Sequence, residues 1–433
     1  MSVPRTVFRH RPAILSSVAL AAAIFAGAAT AAPVEPVYQL AQQEKPALIN
    51  TMKDLVSIES GSKDIEGLDR IASLIRDRLA AMGGDAKLVE PTEVYRMADT
   101  PEKVGKMVHA TFKGTGKRKI MLIGHMDTVY PAGILSSQPI REDGNRLYGP
   151  GIADDKGGLA VILHSLEILK AQGWKEYAQI TVLLNPDEEI GSGGSGETIA
   201  ALAAQHDVVL SCEPNVAKAI AKSESLLLAA AGTATATMQV KGRSSHAGAA
   251  PELGRNALLE LAYQMQQTRD LAQTVPGSQL NWTQAKTTGP LNQIPETASA
   301  IGDVRVTVSG AAQKLQAALQ EKVGTAHLIP DTQTTVAMEE GRPAYVADAR
   351  SKELAARAQK IYTEMDGRSL ILIPGTGGGT DAGFAGRSGK AVVLESFGLS
   401  GFGYHARDEY VELDSIVPRL YLMTRLLQEI GKN

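Results

Sequence analysis

Residues 119–123, Lys-Ile-Met-Leu-Ile, form a short aliphatic run that stops at Gly124 and is followed at once by His125-Met-Asp127. A run of this length with a polar residue before it and a glycine after it reads as a buried strand. The C-terminal ends of strands in an open α/β sheet are where ligands bind. Residues two apart at a strand's end project to one side, so His125 and Asp127 share a direction. A histidine that binds metal sets its other ring nitrogen against a carboxylate or carbonyl, and Asp127 is within reach of that task. The plain alternative is a solvated His and Asp in a loop.

The arrangement recurs along the chain. Residues 180–185 read as a central strand followed immediately by Pro186-Asp187-Glu188-Glu189, and residues 208–211 as a strand that runs into Cys212-Glu213. Asp154 and Asp155 stand at the start of a helix whose apolar residues are Leu159, Ile162, Leu163, Leu166 and Leu169. Two acids there also suit simple helix capping. Gly403-Tyr404-His405 falls near the end, before a terminal helix from Asp414 whose stripe of Leu420, Met423, Leu427 and Ile430 is core packing.

With 433 residues, the chain exceeds one ordinary domain and predicts two, each with its own core. A formal charge of −3 and the lack of a basic patch with interleaved aromatics argue against nucleic acid. Arg5, Arg9 and Arg11, an apolar stretch over 13–28 and Ala29-Thr-Ala31 match a secretory leader cut after Ala31. The apolar stretch falls short of the roughly 20 residues a membrane span needs, so no stable membrane association is expected. Cys212 is the single cysteine and permits no internal disulfide; the expected address is periplasmic or secreted.

The helices expected first start at Pro46 and near Leu68, with strands near 86–90, 108–112 and 120–123. Gly114-Thr-Gly-Lys117 lacks phosphate-loop spacing and predicts a hairpin turn between the last two. After residue 216 the texture becomes small, apolar and β-prone, and a β-α-β-β-α-β order over 217–340 reads as an inserted α+β unit. The parts before and after it, 32–216 and 341–433, form one α/β domain in this reading.

His125, Asp154, Glu189, Glu213 and His405, with Glu188 and Asp127 beside them, make a mixed imidazole and carboxylate set without thiolate. That suits zinc, or less often cobalt or manganese. Five groups are too many for one catalytic zinc; if one acid bridges, two ions about 3.5–4 Å apart can share them and activate a water. Glu188, next to a ligand, is then free to serve as general base. Gly193-Gly-Ser-Gly-Glu197 misses the nucleophile-elbow pattern of serine hydrolases.

Five runs in order, Gly124-His-Met-Asp-Thr-Val-Tyr130, Gly149-Pro-Gly-Ile-Ala-Asp-Asp-Lys-Gly-Gly158, Asn185-Pro-Asp-Glu-Glu-Ile-Gly-Ser192, Ser245-His-Ala-Gly-Ala-Ala-Pro-Glu252 and Gly403-Tyr-His405, resemble the dizinc exopeptidases of the glutamate carboxypeptidase family. The resemblance covers nearly all of the chain beyond the leader. It implies a mixed-sheet α/β catalytic domain with an inserted ferredoxin-like α+β dimerisation domain, and a homodimer holding two zinc ions per subunit. It implies that Asp154 bridges the ions, that His125 and Glu213 complete one site and Glu189 and His405 the other, and that the bond between Asp154 and Asp155 is cis. Glu188 is the implied general base towards a metal-bound hydroxide, and Asp127 the partner of His125. His246, by itself an ordinary surface histidine, is implied to reach the partner subunit's site and steady the oxyanion.

A small substrate with a free carboxylate follows: an N-acyl amino acid, a folate-like conjugate or a short peptide. Arg305, Asn292 and the backbone of Gly377, Gly378 and Gly379 are candidates to grip that carboxylate, with Arg342 and Asn281 further out. Arg305, in an alternating strand, also reads as a solvated charge. Residues 223–231 carry no cation to hold a glutamate side chain. Rival readings are an aminoacylase, dipeptidase or desuccinylase of the same superfamily, and a non-catalytic periplasmic binding protein on a peptidase scaffold.

Overall fold

The computed structural model describes residues 32–97, 100–216, 222–308 and 310–432. The expected leader, residues 1–31, lies outside them, as do residues 217–221 at the expected start of the insertion.

Six strands lie side by side in the order Asp85–Val89, Met107–Lys113, Gln179–Asn185, Lys119–His125, Val208–Ser211 and Val392–Leu394. The last four are parallel and the first two antiparallel to their neighbours. The aliphatic run that opened the sequence reading is buried because the sheet is covered on both faces. Ile120 and Leu122 point into the larger core, against helices Glu35–Val56, Ile65–Ala81, Gly158–Ala171 and Ile416–Lys432. Met121 and Ile123 point the other way, into a core closed by Ile199, Ala203, Phe384 and Ala385. Leu420, Met423, Leu427 and Ile430 all join the larger core.

Two local expectations are corrected. Residues 114–117 do not close a hairpin, because strand Gln179–Asn185 inserts between Met107–Lys113 and Lys119–His125. The loop instead pairs with residues 175–178, through Gly114 N–H to Ala178 O at 3.2 Å and Gly116 N–H to Tyr177 O at 2.9 Å. A Cβ at Gly114 would stand 2.1 Å from Tyr177 O and one at Gly116 2.4 Å from a Glu176 backbone carbon, so the glycines permit a close approach. The first helix starts at Glu35 and runs through Pro46. Val37 and Ala41 continue the buried stripe of Leu48 and Met52, and that burial outweighs the hydrogen bond the proline removes.

A second sheet, antiparallel, has the order Ser278–Thr287, Thr297–Val306, Gly232–Lys241, Gln333–Glu340. Helices Ala257–Thr268 and Ala311–Thr325 cover it, giving the ferredoxin-like β-α-β-β-α-β arrangement with a core of its own. Ala234, Ala236, Met238 and Val240 supply alternate inward positions. The incoming and outgoing chains pair at the junction, where Gly341 N–H meets Thr233 O at 2.9 Å and Thr233 N–H meets Arg342 O at 2.9 Å.

Three histidines are built wholly or partly buried into the larger α/β unit. His164 Nε2 lies 2.8 Å from Thr51 Oγ1 and Nδ1 2.6 Å from Glu44; His206 bridges Thr181 Oγ1 at 2.8 Å and Leu202 O at 2.7 Å. Burial pulls the pKa of His109, His164 and His206 below 6.5. The unfolded chain therefore takes up protons first as pH falls: the stabilisation is complete above 6.5 and is lost as pH drops towards the folded values. Between neutral pH and about pH 5 the calorimetric Tm of His164→Gln and of His206→Gln should lose less, or gain more, than that of the wild-type protein; equal slopes would contradict this account.

Candidate active site

His125 ends its strand with 1% of its surface exposed. Gly124 before it is needed because a Cβ there would meet Asp155 Oδ2 at 2.6 Å. That same Asp155 oxygen accepts the His125 N–H at 3.2 Å. The ring is held on both sides. Nδ1 lies 3.1 Å from Asp127 O and 3.3 Å from Asp127 Oδ1, while Nε2 faces Asp154 Oδ1 at 3.0 Å and Glu213 Oε1 at 3.7 Å. His405 comes from a turn in the left-handed region, φ +60°, and its Nε2 faces Glu189 Oε2 at 3.0 Å and Asp154 Oδ2 at 3.5 Å. Asp154 thus offers one oxygen to each imidazole, and each imidazole has a glutamate of its own.

Two carboxylates beside this cluster fix the backbone that carries it. Asp127 accepts Ser62 Oγ at 2.7 Å and the N–H groups of Glu188 and Glu189, each at 3.1 Å. Glu409 accepts the N–H groups of Gly151, Ala153 and Asp154 at 2.8–3.0 Å and the Tyr130 hydroxyl at 2.8 Å. The Asp154–Asp155 peptide is cis. Glu409 escaped the sequence reading, since an acid in Arg407-Asp-Glu-Tyr410 looks solvated; its only signal is that it lies four residues from His405.

Burial raises the carboxyl pKa of Glu188, Glu189 and Glu213. Burial opposes ionisation of Asp154 too, but hydrogen bonds from His125 and His405 outweigh it and hold that carboxyl low. His405 is pushed up to about 10 by Asp154 and Glu189. His125 is pulled down by burial and more than restored by Glu213, Asp127 and Asp154. A buried set of acids that draws protons onto its imidazoles is a set lacking positive charge. Ligand atoms of His125, Glu188 and Glu213, and of His125, Asp154 and Glu189, lie within 4.8 Å of one another. Imidazole nitrogen and carboxylate oxygen without thiolate fit a divalent cation.

A family model for peptidase family M20/M25/M40 matches residues 121–429. The chain is 41% identical to carboxypeptidase G2 of Pseudomonas sp. (strain RS-16) over 424 residues, 98% of each chain. The chain belongs to the M20 peptidases. A tripeptidase from Staphylococcus aureus shares the fold with a TM-score of 0.71 at 20% identity, covering 90% of this chain and 99% of that one. An M20 metallo-carboxypeptidase from Sulfolobus solfataricus shares it at 0.67 and 15% identity, covering 89% and 99%. The protein is a metal-dependent hydrolase of the carboxypeptidase type.

The other candidate residues of this M20 peptidase fall into two groups. Arg305 pairs with Asp303 at 2.9 Å and reaches Gly377 O at 3.5 Å, so it lies against the Gly377–Gly379 loop. His246 is exposed and sits beside Asn292, whose carbonyl accepts the Ala247 N–H at 2.8 Å. Among the described residues, no hydrogen bond or ion pair joins His246 or Asn292 to the five-residue cluster of the same chain. Arg342, placed further out by the sequence reading, is buried against Glu188, with Nη1 2.7 Å from Oε1.

Asp127 offers a direct test of this geometry. Asp127→Ala leaves the backbone carbonyl that His125 Nδ1 meets but removes the carboxylate 3.3 Å from Nδ1 and the acceptor for two backbone N–H groups, and metal affinity is expected to fall about 10- to 100-fold in chelator competition. Unchanged affinity would remove Asp127 from this role.

Proposed function

We propose that the mature protein, freed of residues 1–31, is a periplasmic or secreted homodimeric dizinc exopeptidase. It cleaves the amide bond to a C-terminal amino acid that carries a free α-carboxylate, in N-acyl amino acids, folate-like conjugates or short peptides. The observation that carries the reading is the division of Asp154: Oδ1 faces His125 at 3.0 Å and Oδ2 faces His405 at 3.5 Å, with Glu213 and Glu189 on the respective sides. Asp154 would be shared by both ions, His125 and Glu213 would complete one coordination set, and Glu189 and His405 the other. When bound, the ions would polarise the scissile carbonyl and make a water acidic.

The remaining work falls to the chain's own groups. Glu188 is buried and holds protons more tightly than an ordinary carboxylate, which suits a base that takes a proton from the attacking water and passes it to the departing amine. His246 Nδ1 accepts the N–H groups of Gly248 and Ala249 at 3.2 and 3.1 Å, so the neutral ring carries its proton on Nε2. That makes His246 a hydrogen-bond donor for a developing oxyanion, and its separation from the cluster of its own chain favours service in the partner's site. Arg305 and the Gly377–Gly379 amides would hold the α-carboxylate, with Asn292 arriving beside His246. The 41% identity to carboxypeptidase G2 supports the carboxypeptidase reading over an aminoacylase or dipeptidase one, and every ligand and base position is filled, against a non-catalytic binding role.

A panel of N-acyl amino acids, dipeptides and folate, assayed for released amine, should show turnover of carboxylate-bearing substrates that a chelator abolishes; turnover indifferent to chelator would overturn the reading. Glu188→Ala and His246→Ala should each keep metal and lose about 10²- to 10⁴-fold in kcat. Mixing the two variants under subunit exchange should restore activity, because one site of the mixed dimer then has both groups intact. Failure to complement would refute action across the dimer.

A further inference from the structure

Arg342 lies where the chain returns from the inserted unit, with its N–H on Thr233 Oγ1 at 3.0 Å. From this junction its buried guanidinium reaches the base. Nη1 is 2.7 Å from Glu188 Oε1, and Nη2 donates to the Glu188 carbonyl and lies 3.5 Å from Ser192 Oγ. On the other side stands Asp381, 3.9 Å from Nε and itself held by Asn185 Nδ2 at 2.8 Å and Ser192 Oγ at 2.5 Å. Among the described residues neither Nε nor Glu188 Oε1 has a hydrogen-bond partner.

The same Nη1 is 3.1 Å from where a Cβ would stand on Gly379, so the guanidinium touches the glycine loop as well as the base. Arg305 reaches the loop at Gly377. A carboxylate docking on those amides would arrive beside Arg342 and compete with the Glu188 carboxylate for the guanidinium's charge. Arg342 also has somewhere to move: with Tyr95, Tyr345, Phe384 and Arg387 it walls a cavity of about 1030 Å³ that none of the five clustered ligands lines.

We propose that Arg342 is a positioning residue that sets specificity: it holds Glu188 in an ion pair while the carboxylate subsite is empty, and transfers to the substrate's α-carboxylate on docking. Transfer frees Glu188 to take the water's proton. The rate of the chemical step, and not only binding, then depends on a free C-terminal carboxylate. This rests on the exopeptidase reading above and adds the reason such an enzyme would spare amidated ends.

The test compares one N-acyl amino acid with its C-terminal primary amide. The wild-type protein should show a large kcat preference for the acid. In Arg342→Met, kcat for the acid should fall while kcat for the amide holds or rises, shrinking the ratio by about tenfold or more; Arg342→Lys should retain part of the preference. Equal fractional losses on both substrates, or a change confined to KM, would overturn the switch. Wild-type protein that hydrolyses neither compound would overturn the exopeptidase reading itself, and the switch with it. A structure of the wild-type protein with a product amino acid bound gives a readout free of mutation. The Arg342–Glu188 pair should open from 2.7 Å to beyond about 4 Å, and an unbroken pair would refute the proposal.

Discussion

The carboxylate of Asp154 is the point on which the site depends. Its two oxygens face imidazoles 280 positions apart in the chain, at 3.0 and 3.5 Å, and among the described residues no other side chain is ion-paired with both. One oxygen per imidazole requires Asp154 to be held in place, and Glu409 holds its backbone by accepting the N–H groups of Gly151, Ala153 and Asp154. Asp127 does the same for the loop carrying Glu188 and Glu189. Two acids outside the cluster thus hold the backbone of the acids within it.

Collecting this much negative charge at a buried rim works against folding. Buried, uncompensated carboxylates are costly, and the acids of this rim stand 3.0–3.7 Å from two imidazoles. The surrounding architecture bears that cost. The sheet is covered on both faces by continuous apolar cores, and strands Lys119–His125, Gln179–Asn185 and Val208–Ser211 end together, so Glu188, Glu189 and Glu213 are delivered to the same edge as His125. The inserted unit has a separate core and meets the site through its junction, where Arg342 and Thr233 pair across the two connecting chains.

Much of this was legible from residue order. The unbroken aliphatic run of residues 120–123 marked a buried strand, and the structure divides it between two cores, Ile120 and Leu122 in one and Met121 and Ile123 in the other. His125, Asp154, Glu189, Glu213 and His405 each follow a strand or open a helix, positions where polar residues are seldom accidental. What misled was local punctuation. Gly114 and Gly116 resemble a hairpin turn, yet serve a close approach to residues 175–178; Pro46 resembles a helix start, yet lies inside one. In both cases a contact distant in sequence outweighed a local preference.

The sequence by itself determined the chemistry available, two imidazoles among acids without thiolate, and the strand ends that would carry them, because hydrophobic periodicity and strand termination are local properties. Only the tertiary structure decided how those groups are shared: that Asp154 divides its oxygens between two histidines, that Glu409 is a support and not a surface charge, and that Arg342 is committed to Glu188. These are properties of side-chain direction and distance between segments hundreds of residues apart, and no local pattern encodes them.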